Sequence, residues 1–170
     1  GSTATSNETW EWDGSAWTQL QPAAAPSFRE GHRMTFVPQR QRVVLHGGYS
    51  MVPPNSILSD LWEWDGITWS LVAATGAPAR AMHGMAHDPV RGRTMIVGGF
   101  EANDDPGDTW EWDGTSWSQR TAAAPCWSVA AIAYDSLRAR LVAVDAHLGT
   151  LEWDGVHWLP GPPSPTLSWN

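Results

Sequence analysis

Trp62-Glu63-Trp64-Asp65-Gly66-Ile67-Thr68-Trp69 decides the fold, because close variants of this phrase recur along the chain. They run from Trp10 to Trp17, from Trp110 to Trp117 and, with Leu151 in place of the first Trp, from Leu151 to Trp158. Side chains of a strand alternate between its faces, so the two Trp that flank each Glu share one face and the Glu points to the other. Asp-Gly is the chemistry of a tight hairpin turn, read here as the source of the positive φ angles such a turn needs. A two-residue loop places Trp17 opposite Trp10, and a four-residue loop from Asp13 to Ala16 places it opposite Trp12. Either register leaves all three Trp on one face, an aromatic stripe that another sheet must cover. With a repeat length of about 50 residues, shrinking toward the C-terminus, the pattern reads as stacked blades of a β-propeller.

A second module lies between the Trp hairpins. In the first copy it runs Arg29-Glu-Gly-His32-Arg-Met-Thr-Phe36-Val-Pro-Gln-Arg40-Gln-Arg42-Val-Val-Leu-His46-Gly47-Gly48. The second copy carries Arg80, His83, His87, Arg91, Arg93 and Gly98-Gly99; the third carries Trp127, Ala130, Tyr134, Arg138, Arg140 and Asp145-Ala146. Each copy is an apolar run, a polar turn and a second apolar run, hence another β-hairpin. Two hairpins make a four-stranded blade. The expected organisation is a single domain over 1–170, all-β, with about four blades: an outer hairpin at 8–20, blades at 26–72, 78–120 and 125–160, and a tail at 161–170 that supplies an inner strand to the split blade. That split blade closes within one chain, in a head-to-tail homodimer, or with further residues of a longer protein of which this chain is a fragment, since uncovered sheet edges invite aggregation.

The Gly-Gly doublet after an apolar strand, a variable loop, an acidic residue, a Trp and a second Trp seven residues on resemble the kelch repeat. Gly47-Gly48, Asp60, Trp62 and Trp69 carry the resemblance in one copy, and Gly98-Gly99, Asp108, Trp110 and Trp117 in another. The third copy departs from the pattern at Asp145-Ala146 and Leu151. The resemblance implies a propeller of a family whose members are mostly binding scaffolds, with a few enzymes on the same frame; fold alone does not choose among them.

Composition narrows the partners. Eighteen acids against ten bases give a formal charge of −8, and every base is Arg. An acidic surface without a basic run argues against nucleic acid, where phosphate neutralisation supplies most of the affinity. No apolar stretch is long enough for a membrane-spanning helix, so no membrane insertion is expected. Cys126 is the single cysteine, which rules out an internal disulfide and a multi-cysteine zinc site. Localisation is not readable.

The connections of one propeller end are short and regular, whereas those of the other vary: Tyr49 to Ser59, Phe100 to Gly107 and His147 to Gly149. Variable loops on a rigid scaffold are where binding is expected. The candidate ligand-binding residues on that end are Arg29, Arg80 and Trp127, which open their blades at matching positions, with His32, His83, Tyr49 and Phe100. An Arg and Trp rim suits a carboxylate, a phosphate or a sugar ring; the competing reading pairs both Arg with acids or carbonyls of their own blades. His32 and His83 lie three residues beyond those Arg, on adjacent blades, and read as hydrogen-bonded inner-strand histidines, because Ala130 breaks the pattern and two imidazoles do not complete a metal site.

The Glu-Trp-Asp units do not form a catalytic carboxylate pair, which requires two carboxyls across one scissile bond; they read as an exposed Glu beside a turn-forming Asp. Glu101 to Asp108 lacks ordered calcium-loop spacing and reads as a solvated acidic loop. Cys126 reads as an inert buried thiol. With no cofactor motif and no catalytic set, the expectation is a non-catalytic binding or assembly module for a protein partner. The alternatives are lectin-like carbohydrate binding and an enzyme with a pocket at the propeller axis.

Overall fold

The computed structural model describes residues 7–72, 76, 78–101, 107–121, 129–145 and 149–162. Among them the chain is all-β, with sixteen strands in five antiparallel sheets and no helix. The first sheet has only β1 (Thr9–Trp12) and β2 (Trp17–Leu20). The second joins β3 (Arg33–Val37), β4 (Arg42–His46), β7 (Leu61–Trp64) and β8 (Trp69–Val72) in that order. Between β4 and β7 the chain makes a small separate hairpin, β5 (Tyr49–Ser50) with β6 (Ser56–Ile57).

The third sheet orders β9 (Gly84–Asp88), β10 (Arg93–Val97), β11 (Thr109–Trp112) and β12 (Trp117–Thr121) side by side. The fourth repeats this with β13 (Val129–Asp135), β14 (Arg140–Asp145), β15 (Gly149–Trp153) and β16 (Trp158–Pro160). The two hairpin types of the sequence are thus adjacent halves of three four-stranded sheets. Of the expected tail at 161–170, residues 163–170 lie outside the described residues.

The Trp phrase adopts the longer-loop register. Trp12 pairs with Trp17, Trp64 with Trp69, Trp112 with Trp117 and Trp153 with Trp158. Asp13 shows why: its Oδ1 accepts hydrogen bonds from the backbone N–H of Ser15 (2.7 Å) and Ala16 (2.8 Å), and its own N–H donates to Ala16 O. Asp65, Asp113 and Asp154 do the same in their turns. The Asp is therefore a side-chain staple of the turn, and only the Gly takes positive φ, as at Gly14 (φ 100°). These backbone donors hold the Asp13, Asp65, Asp113 and Asp154 carboxyls below the usual carboxylate range.

Each sheet has a Trp face and, opposite it, a Glu face. The Trp face packs on the Glu face of the sheet before it. Trp112 lies with Val37 and Val44 of the second sheet, and Trp153 with Ala86 and Met95 of the third. Burying a side chain of this size stabilises the stack by about 1.5–3 kcal/mol. Hydrogen bonds fix the stagger: Trp69 Nε1 donates to Thr9 Oγ1 (3.0 Å) and Trp158 Nε1 to Thr109 Oγ1 (2.9 Å).

Glu11 is exposed as expected, but the Glu of the other three copies departs from that expectation. Glu63, Glu111 and Glu152 are buried, each under an arginine from the turn of the inner hairpin. Arg40 reaches Glu63 at 2.7 Å, Arg91 reaches Glu111 at 2.6 Å, and Arg138 pairs with Glu152. Alternation gives the face of a residue but not what folds over it, and here the arginine's long stem spans the neighbouring strand.

Candidate functional site

The strand ends that the variable connections join lie at one end of the stack, opposite the stapled turns. Arg29 and Arg80 sit there at equivalent positions, both buried. The Arg29 guanidinium pairs with both oxygens of Asp60, one of them at 2.7 Å, and also donates to Gly47 O (3.0 Å) and Ser27 O (3.0 Å). Arg80 pairs with Asp108, donates to Gly98 O (3.1 Å) and reaches Glu101 at 2.8 Å. Trp62 and Trp110 complete the carboxylate shells, each donating its Nε1 at 2.7 Å. Burial pushes the Asp60 carboxyl up, but the Arg29 and Trp62 hydrogen bonds outweigh it and hold it below the usual range. Both guanidinium groups are braces that tie the start of an inner hairpin to the loop before the Trp phrase, the reading that competed with a ligand rim. Because Arg80 holds Glu101 and Asp108, those two carboxylates of the acidic loop are engaged in an ion pair rather than solvated.

The Gly-Gly doublets follow from this bracing. Gly48 N–H donates to Arg80 O at 2.8 Å. A Cβ at Gly47 would stand 2.2 Å from that same carbonyl oxygen, and one at Gly99 would stand 2.7 Å from His83 Cα. Only glycine permits such close backbone approach, to the next repeat at Gly47 and across the open end of its own inner hairpin at Gly99.

The histidines pair differently from their spacing in the sequence. His83 meets His46, not His32: Nδ1 of His46 and Nε2 of His83 are 3.3 Å apart, with the rings edge to face. Both side chains are fully buried, and His46 also packs against Trp117 with the rings tilted by 55°. Burial lowers the His46 pKa to about 4 and holds His83 well below its ordinary value, so both imidazoles are neutral at pH 7. His46 has Val97 as its counterpart in the third sheet, so no repeat signal marked it. His32 is half-buried, and desolvation with the charge of Arg29 lowers its pKa as well. Among the described residues no group of three or more His, Cys, Asp or Glu is arranged to hold a metal ion.

Tyr49 and Phe100 occupy matching places. Tyr49 exchanges backbone hydrogen bonds with Glu30 at 3.0 and 2.8 Å, and Phe100 exchanges them with Ala81 at 3.1 and 2.8 Å. Met82 lies between these bridges, its N–H donating to Gly31 O at 2.7 Å. It is exposed and held at φ 55°. A bulky side chain at positive φ is uncommon and marks a position set by its surroundings; the sequence carried no sign of it. Exposed Met51, Val52 and Phe100 add to the apolar surface of this end. Trp127 and Cys126 lie outside the described residues.

A concavity, not foreseen from the sequence, lies beside the first hairpin. It measures about 590 Å³ and is lined by Trp10, Glu11, Trp12 and Trp17 on one side and Met34, Val43, Leu45 and Trp64 on the other. No protein-family model matches the sequence, and no curated protein matches it.

Proposed function

We propose that this chain is a non-catalytic binding or assembly module, a kelch-like β-propeller of about four blades whose loop end engages a protein partner. One observation carries the reading. Met82 and Phe100, joined through neighbouring backbone bridges, expose apolar side chains on an end where Arg29 and Arg80 are held inside the sheets. Exposed apolar groups on a rigid polar frame suit a protein surface better than a small charged ligand. Tyr49 and Phe100 remain contact residues in this proposal and Met82 joins them, while Arg29 and Arg80 position the loops that carry them.

Photo-crosslinking tests it. A crosslinking residue at Met82 or Phe100 should capture a discrete partner, and one at Ile67, exposed on the opposite end, should not. The adduct should vanish when Tyr49 is replaced by Ser with the fold intact. Equal capture from Ile67, or an adduct indifferent to Tyr49→Ser, would reject the loop end as the binding surface.

A further inference from the structure

The second and third sheets are both complete, four strands each, and between them at the stapled-turn end lies a cavity of about 170 Å³. Buried Val37, Val44 and Trp112 line its inner part, beside buried His87 and Thr94. Its mouth is formed by Gln39 and Arg40 of the β3–β4 turn and by Asp113 of the third sheet's Trp hairpin, all exposed.

The next junction shows which residues open it. His87, Thr94 and Trp112 lie in register across β9, β10 and β11, and the same row of the fourth sheet is Tyr134, Leu141 and Trp153. Facing that row from the sheet before is Met95, in the place that Val44 holds at the earlier junction. Tyr134, Leu141 and Met95 close on Trp153 in one apolar cluster. With His for Tyr, Thr for Leu and Val for Met, the earlier junction has the smaller side chain at all three positions, and two of them are polar. Close-packed junctions leave little room, so these exchanges make the space and give it polar walls.

Those walls are already held in place. His87 Nδ1 is 3.0 Å from Thr94 Oγ1 and its Nε2 is 2.9 Å from Gln39 Oε1, while Gln39 Nε2 donates to Pro89 O. With Nε2–H donating to Gln39, Nδ1 accepts the Thr94 hydroxyl proton, and Thr94 Oγ1 keeps its lone pairs as acceptors. Asp113 Oδ1 staples its turn, whereas Oδ2 meets only Ser116 Oγ, at 3.3 Å, among the described residues. The Trp112 indole N–H is buried without an acceptor in the protein. Such a mixture of free acceptors and a free donor suits hydroxyl groups, which do both.

Charge and size narrow the ligand. Arg40 is neutralised by Glu63 at 2.7 Å and donates to Gly114 O at 3.4 Å, much as Arg91 Nε stands 3.4 Å from the position of a Cβ on Gly155 at the next junction. Desolvation lowers the His87 pKa and keeps the ring neutral at pH 7. Asp113 is then the uncompensated charge at the mouth and disfavours anions. The volume is below the roughly 300–1,000 Å³ of sites for drug-sized ligands, so the occupant is small.

We propose that this cavity binds a small uncharged polyhydroxyl compound, a free polyol or a single sugar residue. Its hydroxyls donate to Thr94 Oγ1 and Asp113 Oδ2 and accept from the Trp112 indole, and its carbon skeleton rests on Val37 and Val44. The site lies at the end opposite the loop surface and is independent of the reading above.

Titration of the full chain with glycerol, erythritol and mannitol, and with the methyl glycosides of glucose, mannose and galactose, tests it by calorimetry and by NMR of the indole N–H resonances. At least one compound should bind saturably with a Kd of about 10 mM or tighter and shift the Trp112 resonance, identified by its loss in Trp112→Phe. Tighter binding of the glycosides makes the end of a glycan the source, and tighter binding of the polyols a free solute; either supports the site. His87→Tyr with Thr94→Leu, the residues that the fourth sheet carries in the same row, should weaken binding at least tenfold. If that double variant does not fold, the Trp112 resonance of the unaltered chain decides. A panel without saturable binding overturns the proposal, as does binding that the folded double variant retains. So does binding that leaves the Trp112 resonance unmoved, as a sugar on the exposed Trp of the first hairpin would.

Discussion

The Trp12–Trp17 pair and the Trp112–Trp117 pair have the same internal geometry, with ring centroids 5.5 Å apart in both and tilts of 44° and 45°. Their surroundings differ. Trp12 and Trp17 are 50% and 64% exposed, whereas Trp112 is 3% exposed beneath the preceding sheet. The pair is therefore a local product of the stapled turn, and its burial is a separate contribution from the neighbouring Glu face. Stability in such a stack divides into what each unit makes for itself and what it gains at its interfaces.

Replacing tryptophan separates the two contributions most strongly. Trp112→Ala should cost about 3–5 kcal/mol, as for a large buried side chain, while Trp12→Ala should cost less than about 1 kcal/mol, as at an exposed position. Urea unfolding midpoints measure both, and equal losses would mean that the pair itself outweighs the stacking. The Glu positions come next. Glu111→Gln leaves Arg91 and Arg120 without their shared carboxylate and should cost about 2–3 kcal/mol, because both arginines keep some solvent. Glu11→Gln in the chain alone should be close to neutral in the same assay.

Acid sharpens the comparison, since the buried His46–His83 pair joins the second and third sheets and the first hairpin has no counterpart. Both folded-state pKa values lie below the unfolded value near 6.5, so the unfolded chain binds more protons as pH falls. Stability is complete above about 6.5 and declines toward about 4, where His46 itself protonates. A loss of about 3–4 kcal/mol between pH 7 and pH 5 is expected, about 2 kcal/mol from each histidine. It should shrink in His46→Gln measured against its own pH 7 value. The smallest contrast is at the turn glycines. Gly66→Ala and Gly155→Ala both force alanine to positive φ and should each cost about 1 kcal/mol. At Gly155 the added Cβ meets Arg91 only at ordinary van der Waals distance and at Gly66 it meets nothing, so the two losses should agree within a few tenths of a kcal/mol.

Strand order was largely legible because the Trp phrase states its own alternation and turn. Register was not, since Asp-Gly serves two loop lengths and the choice rests on an Asp carboxylate that reaches backbone N–H groups two and three residues on. The fate of Arg29 was also hidden: its partner Asp60 is 31 residues away, and only the folded connection shows that the carboxylate arrives before any ligand. His32 and His83 looked like partners by repeat position, yet neighbouring sheets are offset so that the last residue of β4 meets the start of the next. The groove beside β1 left no local mark. It is defined by one sheet with two strands among the described residues, visible only against three sheets with four.

The arginine of the inner turn makes one bond within its sheet and one approach to the glycine of the next. Each repeat thus carries both halves of the same junction, an arginine at one boundary and a glycine at the other. A gene segment encoding one repeat, copied in tandem, would encode a unit already fitted to its neighbours on both sides. Lengthening or shortening such a protein by whole repeats then demands no compensating change elsewhere, and copy number can vary in evolution more freely than the junction residues themselves.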